Sequence, residues 1–211
     1  MNKLKKSIQD NGGFKHWFVN VFWYHYRWPV LVGFVVLGIV VFITVDALKR
    51  ERYDTTVVIA TDYYVDDTAL EPLNQVLEPV VEDLDGNGKV NIRYVVLYVG
   101  DTELGRQNQE RMYLYMQDHE VAFYLMSQDI SGAYTNPDLE FFTDDLRNYD
   151  LPADEDHPVR MSLVGHPVLT QCGMEDMYFS IMDHSTHKGG AETKAARENA
   201  LAMVGALIET K

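Results

Sequence analysis

The chain has 211 residues, of which 46% are hydrophobic, and it carries a formal net charge of −14 at pH 7. This acidity excludes nucleic-acid binding as the main function, because an acidic surface repels phosphates. The single cysteine, Cys172, excludes an intramolecular disulfide, so the folded part depends on its hydrophobic core. We expect Cys172 to be buried in that core and unreactive.

An uncharged and strongly apolar stretch covers residues 28–45, with no charge before Asp46. As a helix it reaches about 27 Å, which is close to the thickness of a bilayer core. A lone helix satisfies its own backbone hydrogen bonds in that medium. The stretch therefore predicts a single-pass transmembrane helix, acting as a signal anchor, over residues 28–48. A cleaved signal peptide is the alternative, although the residues before the stretch are numerous for one.

Residues 1–27 form a basic and aromatic segment before this helix. They contain five Lys and Arg and one acid. Three Lys and Arg and two acids follow directly after the uncharged stretch. The apolar helix predicts a location in the cell membrane. The difference in basic residues favours a cytoplasmic amino terminus, with the carboxyl-terminal domain outside. The aromatic side chains resemble the belt of a membrane interface and are Phe14, Trp17, Phe18, Phe22, Trp23, Tyr24, Tyr26 and Trp28. We expect a short helix in the interface before the chain turns into the membrane.

Residues 49–54 form a short linker to an exported acidic domain over residues 55–211. From residue 53 onward there are 10 Lys and Arg against 29 Asp and Glu, a net charge of −19. Short apolar runs in this domain alternate with helical patterns. The runs predict strands over residues 55–60, 90–99, 121–126, 160–164 and 177–182.

Helical patterns lie between these runs. A capping box, Thr68 to Glu71, predicts a helix with an apolar stripe of Leu70, Leu73, Leu77, Val80, Val81 and Leu84. A second helix is predicted over residues 102–118, with an apolar side of Leu104, Met112, Tyr115 and Met116. Residues 127–158 are predicted as loops with a short helix near residues 139–146. A last helix follows Gly190, with an apolar stripe of Ala196, Ala200, Met203, Val204 and Leu207.

The order of these elements predicts an α/β fold. Continuous apolar runs are typical of a parallel sheet that is covered on both faces. We therefore expect one open, mostly parallel sheet with flanking helices, following the single transmembrane helix.

The segment from Asp83 to Asn91 matches most of a calcium loop. Alternate oxygens at this spacing converge on one hard cation, while Gly88 provides the sharp turn. The predicted ligands are Asp83, Asp85, Asn87, the carbonyl of Lys89 and Asn91. The acid expected at the last position is replaced by Tyr94. A polar turn without metal, in which glycines adopt positive φ, stays open as the alternative.

A second candidate site follows the first predicted strand. Ligands of open α/β sheets bind beyond the carboxyl ends of the strands. Aromatic and acidic side chains there favour a cationic or sugar-like ligand, and the candidate residues are Asp62, Tyr63, Tyr64 and Asp66. An ordinary solvated loop is the alternative.

Other polar motifs give weaker indications. Asp183, His184 and His187 lie close together in a polar segment and suit a metal or an acid–base pair, although a surface loop is the simpler interpretation. His166 precedes a proline and has no assigned role. The sequence contains no nucleophile elbow, phosphate-binding glycine loop or zinc-spaced cluster.

The strand and helix over residues 55–84, the strand VNIRYVVLYV, the strand EVAFYLMS and the segment NPDLEFFTDDL together resemble a known family. They are similar in pattern to the N-terminal lobe of the extracellular solute-binding proteins of ABC importers. The last helix resembles the late helix of those proteins. The similarity covers residues 55–146 and 177–209 and implies a single-lobe derivative. Those proteins have two lobes and a lipid-anchored cysteine, so the resemblance implies neither transport nor particular ligand contacts.

Together these features lead to a membrane-anchored, extracytoplasmic binding domain of non-enzymatic type as the main hypothesis. It binds a small-molecule or protein ligand at the cell surface and holds a structural calcium ion. The first alternative is a surface hydrolase that uses Asp62 and Asp66, or Asp183, His184 and His187. The second is an accessory subunit of a membrane complex that docks through the aromatic segment, Gly33 and Gly38.

Overall fold

The computed structural model describes residues 13–49, 53–84, 86–118, 121–136, 142, 145–182 and 191–210. The chain divides into two compact units, Met1–Glu51 and Arg52–Lys211. The division falls in the segment that the sequence analysis treats as a linker.

The first unit contains one uninterrupted helical run. It consists of α1 (Phe14–Trp17), a π-helix (Phe18–Trp23) and α2 (Tyr24–Lys49), which contains Pro29. Within it, the 20 residues Tyr26–Val45 are long and apolar enough to cross a membrane, properties that a signal sequence near an amino terminus shares. The expected break between an interfacial helix and the apolar helix is absent from the described residues, because the helical hydrogen bonds continue through both.

The second unit is built on one sheet of five strands. They are β1 (Thr55–Thr61), β2 (Ile92–Tyr98), β3 (Phe123–Ser127), β4 (Met161–Ser162) and β5 (Met177–Ile181). The strand order is β2-β1-β3-β5-β4. β1 pairs in parallel with β2 and β3, whereas β5 is antiparallel to β3 and β4. The predicted open, mostly parallel α/β sheet is therefore confirmed, with one reversed strand that the sequence analysis did not identify.

Helices cover both faces of this sheet. They are α3 (Glu71–Leu77), α4 (Glu103–Met116), α5 (Gln128–Tyr134), α6 (Pro167–Gln171) and α7 (Ala191–Glu209). Short 3-10 helices span Asp67–Leu70, Glu78–Val80 and Leu146–Tyr149. Val57 and Ile59 of β1 face a core shared with α3, α6 and α7. Val58 and Ala60 face a second core shared with α4 and α5, as the alternation of side chains along a strand requires.

The start of α3 differs from its prediction. Asp66, not Thr68, is the capping residue, since its carboxylate accepts from the Thr68 backbone N–H at 2.9 Å. The predicted stripe is buried at Leu70, Leu73, Leu77 and Val81, but Val80 and Leu84 are exposed. The reason is that α3 ends at Leu77 and a tighter 3-10 turn changes the spacing of the residues that follow.

Two other helical predictions also need correction. Leu104 is 59% exposed, because Gly105 and Asn108 take the inward positions at the start of α4. A Cβ at position 105 would collide with the Gly100 backbone, so the close approach requires glycine. Residues 128–134 form α5 where loops were predicted, whereas most of the predicted helix near residues 139–146 lies outside the described residues. The predicted stripe of α7 is buried at all five positions.

Candidate ligand-binding site at the carboxyl edge of the sheet

The carboxyl ends of β1 and β3 lie side by side at one edge of the sheet. The helix after β1, α3, belongs to one core, and the helix after β3, α5, belongs to the other. The loops after these neighbouring strands therefore leave toward opposite faces, which is where open α/β sheets form a ligand-binding crevice. The amino end of β5 joins this edge, since Ser127 pairs with Met177.

Asp62 connects the first two of these strand ends. The Ser127 hydroxyl, which is fully buried at the end of β3, donates to the exposed Asp62 carboxylate at 2.6 Å. The Thr61 hydroxyl donates to the Tyr63 backbone carbonyl at 2.7 Å and fixes the path of the chain as it leaves β1. Asp62 is thus held at the carboxyl ends of β1 and β3.

Tyr63 connects the same loop to β5. Its hydroxyl donates to the Asp176 carboxylate at 2.7 Å and lies 3.5 Å from the Met177 sulfur. Burial, the hydrogen bond to Asp176 and the charges of Asp176, Asp62 and Glu175 raise the pKa of the Tyr63 phenol well above its ordinary value of 10.0. The phenol therefore stays protonated and acts as a hydrogen-bond donor.

We call Asp62, Tyr63, Ser127, Glu175 and Asp176 the carboxyl-edge cluster. The charges of its three carboxylates act on one neutral phenol, and among the described residues none of the three forms an ion pair with Lys, Arg or His. Such an arrangement attracts a positive charge.

The other two predicted ligand-binding residues are placed differently. Tyr64 is 82% exposed, which leaves its ring available to stack on a ligand. Asp66 caps the turn before α3, and the hydrogen bond from the Thr68 backbone lowers the pKa of its carboxyl. The structure therefore groups Asp62 and Tyr63 with three residues that the sequence analysis missed. Ser127 and Asp176 gave no local signal, because only strand pairing brings them to this edge.

The predicted calcium loop lies at the opposite, amino-terminal edge. The two carboxylate oxygens of Asp83 accept from the Gly86 and Gly88 backbone N–H groups, both at 2.7 Å. The Asn87 side-chain oxygen accepts from the Lys89 N–H at 2.8 Å. Gly86 and Gly88 have φ of 69° and 78°, which favours glycine over other residues. Asp85 lies outside the described residues.

Asp54 holds the two ends of this loop together. It is 4% exposed, and its carboxylate accepts from the Leu84 N–H at 2.8 Å and the Asn91 N–H at 2.7 Å. Tyr94 points elsewhere, because its hydroxyl donates to Asn74 on α3 at 3.1 Å. Among the described residues, no group of three or more His, Cys, Asp and Glu side chains is arranged to hold a metal ion. Hydrogen bonds from backbone N–H groups to Asp54, Asp83 and Asn87 therefore close the described part of this loop.

The remaining candidates are buried or lie outside the described residues. Cys172 is free and 2% exposed, as expected, and burial raises the pKa of its thiol. Asp183, His184 and His187 lie outside the described residues. His166 is buried, and its Nε2–H donates to the Leu207 carbonyl at 2.7 Å, so it ties the start of α6 to α7.

Comparison of the chain with protein-family models, with curated proteins and with solved structures found no match.

Proposed function

We propose that this protein is a membrane-anchored binding domain of non-enzymatic type, whose carboxyl-edge cluster holds a positively charged group of a ligand or partner. One observation carries the proposal: the Tyr63 hydroxyl donates to the Asp176 carboxylate at the carboxyl edge of the sheet, and the charges of Asp62 and Glu175 act on the same phenol. An amine or guanidinium placed there replaces water around three carboxylates. The same cation can lie over the exposed Tyr64 ring in a cation–π interaction.

The apolar helix Tyr26–Val45 supplies the anchor in this proposal. The basic residues before it favour a cytoplasmic amino terminus and an exported domain. The resemblance in pattern to one lobe of a solute-binding protein agrees with a binding role. Protease added to intact cells should digest the domain if it is outside, and protection from the protease would contradict this orientation.

Titration of the full chain in lipid nanodiscs with a linear polyamine tests the proposed site. We expect saturable binding that weakens about fivefold to tenfold in Asp62→Asn and in Asp176→Asn. Asp67→Asn is the matched control, because Asp67 is an exposed acid at the start of the 3-10 helix that follows β1. Equal losses in all three variants would show attraction by overall charge and would contradict a specific site.

A structural calcium ion at the Asp83 loop is the second part of the proposal. The left-handed glycines and the inward-facing Asp83 carboxylate favour it. Calcium at millimolar concentration should raise the melting temperature of the full chain relative to chelator, and Asp83→Ala should abolish the rise. An unchanged melting temperature would assign the loop to a turn without metal.

A further inference from the structure

The helical run of the first unit has a continuous row of aromatic rings on one side, four residues apart. The rings of Phe14 and Phe18 are 6.0 Å apart, those of Phe18 and Phe22 are 5.2 Å apart, and those of Phe22 and Tyr26 are 5.3 Å apart. The Trp17 ring also lies 6.3 Å from Phe14 and 6.1 Å from Phe22. We call these five residues the aromatic row.

The π-helix explains why the row is straight. In an α-helix, each step of four residues adds a rotation of about 40° around the axis, so residues at this spacing gradually leave the side on which they began. A π-helix has more residues per turn and therefore reverses part of this drift. The π-helical segment Phe18–Trp23 lies in the middle of the row and keeps its rings aligned.

Most of the row is exposed, and the helical run that contains it is longer than a membrane core requires. Phe14 is 64% exposed and Tyr26 is 54% exposed. The helical run of 36 residues is about 54 Å long, against about 30 Å for the hydrocarbon core. A straight helix would therefore leave Phe14 and Trp17 in water beyond the headgroups. Pro29 offers a point of bending, because proline lacks an N–H and crowds the preceding turn.

We infer that the aromatic row is a lipid-binding surface, which lies in the headgroup layer of an anionic leaflet on the amino-terminal side of the apolar helix. This inference depends on the membrane anchor of the proposed function. Two observations identify lipid as the occupant. The row runs directly into the apolar helix at Tyr26, and residues 1–27 carry five Lys and Arg against one acid. Tryptophan and tyrosine rings favour this layer, and basic residues favour its anionic lipids.

Tryptophan fluorescence tests the inference directly, because all three tryptophans of the chain lie in the helical run. They are Trp17, Trp23 and Trp28. The full chain is reconstituted in phosphatidylcholine vesicles with and without phosphatidylglycerol. Two variants retain one tryptophan each: Trp17 in Trp23→Phe/Trp28→Phe, and Trp28 in Trp17→Phe/Trp23→Phe. Quenching is measured with lipids brominated near the headgroup and with aqueous iodide.

We expect brominated lipid to quench Trp17 strongly, with at least twofold more quenching when phosphatidylglycerol is present, and iodide to quench it weakly. Trp28 should be quenched by lipid in both compositions. If lipid quenches Trp28 while iodide quenches Trp17, the anchor stands and the inference is overturned. If lipid quenches neither, the anchor itself fails. Protection of Trp17 from both quenchers would indicate a protein partner, and equal lipid quenching in both compositions would remove the role of charge; either result overturns the inference.

Discussion

The two edges of the sheet use the same acidic side chains in different ways. At the amino-terminal edge, Asp54 and Asp83 each accept two backbone N–H groups, one on each carboxylate oxygen. At the carboxyl edge, Asp62 and Asp176 each accept one side-chain hydroxyl. Backbone donors are fixed by the fold, whereas hydroxyls can rotate toward a ligand. The carboxylates of the first edge are therefore held by the backbone, whereas those of the second edge, the proposed binding site, are held by side chains.

The largest effect is expected for Asp54→Ala. The substitution leaves the Leu84 and Asn91 N–H groups without their charged acceptor, at a cost of about 3 kcal/mol in the free energy of unfolding. Urea unfolding of the full chain in micelles, followed by far-UV circular dichroism, measures it. Asp67→Ala is the exposed control and should change the free energy by less than about 0.5 kcal/mol. Similar values for both variants would contradict the structural role of the first edge.

A substitution of His166 tests whether a buried polar residue near the carboxyl edge takes part in ligand binding. It follows β4, but its hydrogen bond to Leu207 and its burial make it structural. His166→Ala should lower the free energy of unfolding by about 2 kcal/mol, because it removes a buried hydrogen bond and leaves a cavity where the imidazole packs, although the Leu207 carbonyl keeps its hydrogen bonds from Thr210. Polyamine affinity at the carboxyl-edge cluster should be unchanged. A variant of normal stability and weakened binding would place His166 in the site instead.

Tyr63→Phe shows separately what the Tyr63 hydroxyl contributes to stability and what it contributes to ligand binding at the carboxyl-edge cluster. The phenylalanine keeps the ring but removes the hydrogen bond to Asp176, so we expect a loss of about 1 kcal/mol in stability. Polyamine affinity should be retained or increased, since Asp176 loses a competing donor. Titration and urea unfolding of the same preparation provide the two values. Loss of binding without loss of stability would indicate that the phenol itself contacts the ligand.

The smallest effect is a difference in alkaline stability between wild type and Tyr63→Phe. The folded state raises the pKa of the Tyr63 phenol, so its contribution to stability is complete below the unfolded pKa of 10.0. It declines as the pH rises above about 10, where the unfolded chain releases the proton first. Wild type should therefore lose more stability than the variant between about pH 9 and 11. Parallel pH profiles would contradict this assignment.

Much of the fold was predictable because its signals are local. The continuous apolar run of β1 predicted a strand with both faces covered, and its residues do alternate between two cores. The stripe of α7 predicted its buried face. Leu104 was predicted wrongly because the close approach of Gly105 to the Gly100 backbone, in the loop before α4, decides which side of α4 faces inward.

The candidate site was predictable only in part. Asp62 and Tyr63 directly follow an apolar strand, so their position at a strand end is visible in the sequence. Their partners Ser127 and Asp176 are 65 and 113 residues away along the chain, and no local pattern connects them. The reversed direction of β5 places Asp176 at this edge, and strand direction is not encoded in an apolar run.

The sequence by itself determined the apolar helix, the acidic character of the second unit and the alternation of strands and helices. These properties depend on composition and on short-range periodicity, which act within one element. Only the tertiary structure decided which carboxylates accept backbone N–H groups and which accept side-chain hydroxyls. Those choices depend on strand order and direction, because hydrogen bonds and charges act between groups that the fold brings within a few ångströms of each other.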